Sequence, residues 1–187
     1  MTLPSWQTLP GPVRAVGTAV TRAVDAVGAT DRVAYESAAA AVTALPTDAT
    51  GLVLGAVNRA LIEEQHPDGL DGDDIQVILA RCYRNAAGWL GDTVDVRVLV
   101  AVLASALGIH EAGLTYQEVD SPRTTTDEWP PPEVTDRSVA APPSPAEFAW
   151  HAPLVLADLL AAGGRRLSPY LDSAFAEIAR GEEMELP

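Results

Sequence analysis

Residues 12–28 read PVRAVGTAVTRAVDAVG, and Val13, Val16, Val20, Val24 and Val27 stand three or four positions apart. That spacing lines one side of an α-helix with valine and turns Arg14, Thr18, Arg22 and Asp25 elsewhere around the axis. Valine is a middling helix former, so the period decides the reading rather than the propensity. Pro12 suits a first turn and Gly28 a stop. The same period recurs along most of the chain. A second helix is expected from Thr30 or Asp31, carrying Ala34, Tyr35, Ala38, Ala41, Val42 and Leu45 inward until Pro46. A third, capped by Asp48 or Thr50, turns Leu52, Val53, Val57, Ala60 and Leu61 to the core and closes at Pro67 and Gly69.

Asp71 is a good N-cap for a fourth helix, with Asp73 and Asp74 in its positive first turn. Ile75, Ile78, Leu79, Cys82, Ala86, Trp89 and Leu90 follow at helical spacing, and Gly91 ends the pattern. Val94–Leu107, opened by Asp92 or Thr93, is apolar almost all round apart from Arg97 and Ser105, which places it at the centre of a bundle. Ser144-Pro145-Ala146-Glu147 is a capping box with proline at the first helical position. The helix it opens must kink or restart at Pro153. Ser168-Pro169 repeats the start signal before the last helix.

Between these parts the character changes. Residues 112–143 hold Pro122, Pro130, Pro131, Pro132, Pro142 and Pro143, a threonine run and Trp129, with no helical period. A stretch of that length inside a domain is usually functional or disordered. The reading is therefore all-α: one domain over 1–187, about seven helices, with a long Pro-rich loop or lid over 112–143 before the last two helices. Two helices alone would leave Phe148, Trp150, Leu159 and Phe175 without a core, which argues against a separate C-terminal domain.

The chain has 187 residues, 26 Asp and Glu against 12 basic residues, and a formal net charge of −14. Such a field repels phosphate backbones and anionic lipid, so neither nucleic acid nor a membrane is expected as partner. Every basic residue is arginine, and alanine is abundant, a bias expected of a high-GC bacterium. A lone cysteine, no signal-peptide pattern and no apolar run of spanning length make a cytoplasmic protein the expectation.

Six carboxylates fall within residues 63–74: Glu63, Glu64, Asp68, Asp71, Asp73 and Asp74. A calcium loop needs ligands at positions 1, 3 and 5. From Asp68, positions 3 and 5 are Leu70 and Gly72; from Asp71, position 5 is Ile75, so both registers fail. Glu63-x-x-His66 has the spacing of carboxylate-bridged di-iron bundles, but the adjacent pair His110-Glu111 and the i, i+4 pair Glu147 and His151 do not repeat it. These six residues are the metal-ligand candidates; the competing reading is local hydrogen bonding at helix ends. Cys82 lies on an apolar stripe from which Arg81 and Arg84 should point away, so it reads as an inert buried thiol. Gly163-Gly164-Arg165-Arg166 could seat an anion through Arg165 and Arg166, or simply form a turn whose arginines neutralise nearby acids. Trp129, among prolines and acids, suits an anchor for a groove.

No catalytic set and no cofactor motif emerges. The leading expectation is a non-catalytic protein-binding or regulatory module that makes contact through Trp129 and the acidic turn Glu63–Asp74. The alternative is a helical pocket for a small molecule or metal, with enzymes among its forms, lidded by 112–143 and with His110, Glu111, Tyr116, Glu147 and His151 near its mouth. A homodimer paired through the Val13–Val27 stripe is a third reading.

Overall fold

The computed structural model describes Trp6, residues 11–108 and residues 142–184. The Pro-rich stretch falls outside these residues except for Pro142 and Pro143, and so do Trp129, His110, Glu111 and Tyr116. Seven α-helices follow in chain order: α1 (Gly11–Gly28), α2 (Arg32–Thr43), α3 (Thr47–Gln65), α4 (Gly72–Leu90), α5 (Val96–Ala106), α6 (Pro145–Gly163) and α7 (Leu167–Met184). Among the described residues there is no strand. The fold is the all-α bundle expected from the periodicity, and its helices belong to one compact unit made of residues 1–109 and 143–187.

The start signals are realised where side chains cap the backbone. Asp71 accepts from the amides of Asp73 (2.9 Å) and Asp74 (2.8 Å), while Asp74 accepts from the Asp71 amide (3.3 Å). Ser144 and Glu147 form the second reciprocal box, with Pro145 just inside it. Elsewhere the chain differs from expectation. Asp95, rather than Asp92 or Thr93, caps α5, because Gly91–Thr93 forms a 3₁₀ turn first. Pro46 precedes α3 without a side-chain cap, and Thr50 is buried inside that helix. Pro169 sits in the third position of α7, which begins at Leu167. α1 ends at Gly28, as expected, but Gly28 is not the left-handed residue of the stop. The left-handed residue is Thr30, at φ 50°; its amide donates to the Val27 carbonyl and that of Asp31 to Ala26, a complete Schellman closure.

The largest departure concerns the centre. Every residue from His151 to Leu160 is buried, and α6 packs on each of α1, α2, α3, α4 and α5. The central helix is therefore α6, not α5. On α5, Val98, Leu99, Val102 and Leu103 face inward while Val96 is 43% exposed. Uniform hydrophobicity marks both helices; α6 takes the middle because it is longer and its flanking elements surround it. It also runs unbroken through Pro153. The proline cannot donate to the Ala149 carbonyl. One position on, the Tyr35 hydroxyl donates to the Trp150 carbonyl, and its ring meets Trp89 and Trp150 edge-on at 5.5 and 5.2 Å.

The valine stripe of α1 is used within the chain. Val16 and Val20 are buried, and Val13, Val24 and Val27 pack against the same core. Its other feature is a close approach: a Cβ on Gly17 would lie 2.6 Å from the Trp6 ring. Trp6 is buried there, and its amide donates to Asp172 Oδ1 of α7 at 2.9 Å. On α3 the inward residue is Leu54, whereas Leu52 is exposed; Ala34 and Ala41 of α2 are likewise exposed and Ala39 buried. No single helix among the described residues is long and apolar enough to cross a membrane.

Centrality can be measured by truncation. Leu156→Ala should cost about 3 kcal/mol, the usual loss for a fully buried leucine, while Val96→Ala should stay within about 0.5 kcal/mol. Urea midpoints at unchanged m-value report both, and a larger loss at Val96 would restore α5 to the centre.

Candidate functional site

The acidic turn resolves into two populations. Asp71 and Asp74 form the α4 capping box, and Asp74 Oδ2 also lies 3.7 Å from His66 Nδ1. Glu64 pairs with Arg165 and accepts from the Tyr170 hydroxyl, tying α3 to α7. Glu63, Asp68 and Asp73 remain exposed. Arg165 thus lies against a carboxylate rather than open to an anion, Arg166 is exposed, and Gly164 at φ 60° closes α6 as a Schellman turn. Beyond the turn, Val77, Ala80 and Tyr83 follow one i, i+3 ridge on the solvent side of α4, with Val77 60% and Tyr83 40% exposed. Asp73 lies one helical turn before Val77, so acid and apolar surface adjoin.

Among the described residues no three His, Cys, Asp or Glu side chains gather as a metal site would require. Glu147 is held by Ser144, whose contacts lower its carboxyl below the ordinary range. His151 is buried between helices: its Nδ1 lies 2.8 Å from the Glu147 carbonyl, and its Nε2 accepts from the Asp95 amide at 3.0 Å. Both bonds together require the neutral Nδ1–H tautomer. His151 thereby satisfies an amide at the N-terminus of α5, a role the sequence spacing of Glu147 and His151 does not reveal. Burial pushes its pKa below the ordinary 6.5, against the opposing pull of Asp95 and Glu147.

The strongest polar cluster was not among the sequence candidates. Asp158 stands in the middle of α6 with 4% of its side chain exposed. Its Oδ2 accepts from Arg81 Nε at 2.9 Å and lies 2.9 Å from Nη2 in an ion pair, and its Oδ1 accepts from Asn85 Nδ2 at 3.0 Å. Arg81 therefore turns toward α6, not away from the Cys82 stripe. One turn of α4 places Arg81 and Asn85 together, so a single carboxylate can accept from both. Cys82 lies beside them; burial, then the charge on Asp158, pushes its thiol up to about 12. It stays protonated and is no nucleophile. The available signal was a lone aspartate inside LVLADLL, which an apolar bundle can hold only with a partner.

The clefts lined by described residues include two on the bundle. One, of about 340 Å³, is lined by Val24 and Val27 of α1, Asn85 and Trp89 of α4, and Leu154 and Asp158 of α6. The other, of about 290 Å³, lies among Leu45, Thr50, Leu54, Ser105 and Phe148. The Thr50 hydroxyl is buried there with no hydrogen-bond partner among the described residues. No protein-family model, no curated protein and no solved structure matches the chain.

Two expectations follow from this geometry. Because the folded-state pKa of His151 is depressed, the unfolded chain binds its proton first, so stability is full above 6.5 and falls as pH drops below it. Urea midpoints of the wild-type protein should decline through that window more than those of His151→Gln; parallel profiles would remove His151 as the cause. Arg81→Met should cost about 2 kcal/mol, the penalty for stranding a buried carboxylate discounted because Arg81 is 33% exposed. Adding Asp158→Leu should recover most of that loss, and a double variant as weak as the single would show that the pair itself stabilises.

Proposed function

We propose that the chain is a non-catalytic protein-binding module whose docking face is the Val77–Ala80–Tyr83 ridge of α4 with the acidic turn that leads into it. The observation carrying this reading is the exposure of Val77 and Tyr83 on the helix that the exposed Asp68 and Asp73 lead into, with the carboxylates of both aspartates taking no part in the α4 capping box. Interfaces of this kind pair an apolar or aromatic centre with a polar rim, and the tyrosine is the residue type that most often anchors them. The partner that fits presents an apolar patch flanked by Lys or Arg, drawn in by the net charge of −14.

A non-catalytic role is supported by the state of three reactive groups among the described residues. His151 has both ring nitrogens engaged, Cys82 holds its proton, and Asp158 is neutralised by Arg81. The charge also favours a protein partner over nucleic acid. We place the protein in the cytoplasm on the same reading of its composition. Pairing of two copies through the α1 stripe is not part of this proposal, since those valines already face their own core.

The test is capture of a partner from cell extract by the immobilised chain. A specific partner should be released by rising salt and bound at least about tenfold more weakly by Val77→Glu with Tyr83→Ala. Val33→Glu on α2, a still more exposed valine distant in the chain, should leave it bound. Capture indifferent to the α4 substitutions, or lost equally in the α2 control, would overturn the assignment.

A further inference from the structure

We infer that the cleft between α1, α4 and α6 is a binding site for a small, neutral aromatic molecule carrying one N–H or O–H donor, which Asp158 receives. The site is separate from the α4 ridge. The ridge faces solvent, whereas the cleft is walled by another side of α4 through the buried Cys82 and Ala86, the half-buried Trp89 and the exposed Asn85. At about 340 Å³ it is at the small end of ligand clefts and suits one ring or two fused rings.

The chemistry of the walls selects the ligand. Val24, Val27, Leu154 and Trp89 are apolar or aromatic and favour an apolar body. Thr30, Asn85 and Asp158 supply the polar part of the lining; of these Asp158 carries the charge, and each of its carboxylate oxygens can accept two hydrogen bonds. Arg81 Nε and Asn85 Nδ2 each donate one bond, to Oδ2 and Oδ1, and Arg81 Nη2 also lies 2.9 Å from Oδ2, so Oδ2 is the more crowded oxygen. Oδ1 thus keeps acceptor capacity, fixed in place by α4 and needing no rearrangement to receive a donor. The charge state sets the remaining limit. Arg81 already balances Asp158, so a cationic ligand finds no unmatched charge, and an anion meets a carboxylate. A neutral donor fits both conditions. Small residues at the margin, Gly28, Ala157 and Ala161, leave the opening clear.

The test uses the full chain labelled with ¹⁵N and two probes of the same shape: indole, which has the N–H, and benzofuran, which lacks it. Indole should shift the amide signals of Thr30, Asn85 and Ala157 and the Trp89 ring N–H in a saturable way. Benzofuran should bind about tenfold more weakly, the factor for one hydrogen bond to a charged acceptor. Ala161→Trp, a substitution at an exposed position on the rim, should abolish the indole shifts while leaving the urea midpoint unchanged. Absence of saturable shifts at these residues, equal affinity for the two probes, or shifts that persist in Ala161→Trp would each overturn the inference.

Discussion

A helix buried on every side has no water to satisfy the polar atoms it carries, and α6 carries several. Asp158 brings a carboxylate, His151 brings two ring nitrogens, and Pro153 disturbs the hydrogen-bond ladder near Trp150. The surrounding helices answer at separate points. Arg81 and Asn85 of α4 receive Asp158, the Asp95 amide at the start of α5 meets His151, and Tyr35 of α2 donates to the Trp150 carbonyl. Gln65 at the end of α3 donates to the Leu159 carbonyl at 3.1 Å. Of the five helices that pack on α6, α2 to α5 thus also contribute to its hydrogen bonding, and the arrangement of the bundle is constrained by that requirement as well as by apolar burial.

Much of this architecture is legible in the sequence because its signals are local. The Asp71–Asp74 and Ser144–Glu147 boxes each lie within four consecutive residues, and both form. Helix identity likewise follows from a spacing contained in one segment. The centre of the bundle was not legible, because Val94–Leu107 and the stretch after Ser144 are both apolar nearly all round, and periodicity cannot rank two such helices. The end of α1 at Gly28 is legible, but the conformation that makes the stop is not. Gly28 has the residue type for a left-handed stop, yet the geometry of the turn puts that conformation on Thr30, whose β-branched side chain is ordinarily disfavoured there. The amides of Thr30 and Asp31 secure it by closing on Val27 and Ala26.

Site residues divide along the same line. The acidic turn is visible as a cluster, but sequence gives no means of knowing that Asp71, Asp74 and Glu64 are engaged locally or across to α7, leaving Glu63, Asp68 and Asp73 exposed. The pairing of Glu147 with His151 is a true spacing whose chemistry is structural: each side chain finds a backbone or hydroxyl partner instead of its neighbour. Asp158 could be flagged only as an anomaly, since its partners lie 77 and 73 residues away in the chain. Those separations are long-range facts that no local pattern encodes.

The anomaly has a further consequence for how the bundle chooses one packing. A one-residue shift rotates a helix by about 100°, and on a helix apolar all round such a rotation exchanges one hydrophobic face for another at little cost. Binary patterning therefore leaves α6 poorly specified. Asp158, His151 and the Trp150 carbonyl break that degeneracy, because each must meet a particular donor or acceptor on a different neighbour and at a different height. Any rotation that preserves burial would strand a carboxylate, and the penalty for stranding a buried charge far exceeds the difference between apolar packings. The same fixed approach explains the cleft: α4 must come near enough for Arg81 and Asn85 to reach α6, while the facing residues Ala86, Ala157 and Ala161 are too small to fill the space beside them. An opening lined by a fixed carboxylate is thus a direct outcome of the interaction that orients the central helix.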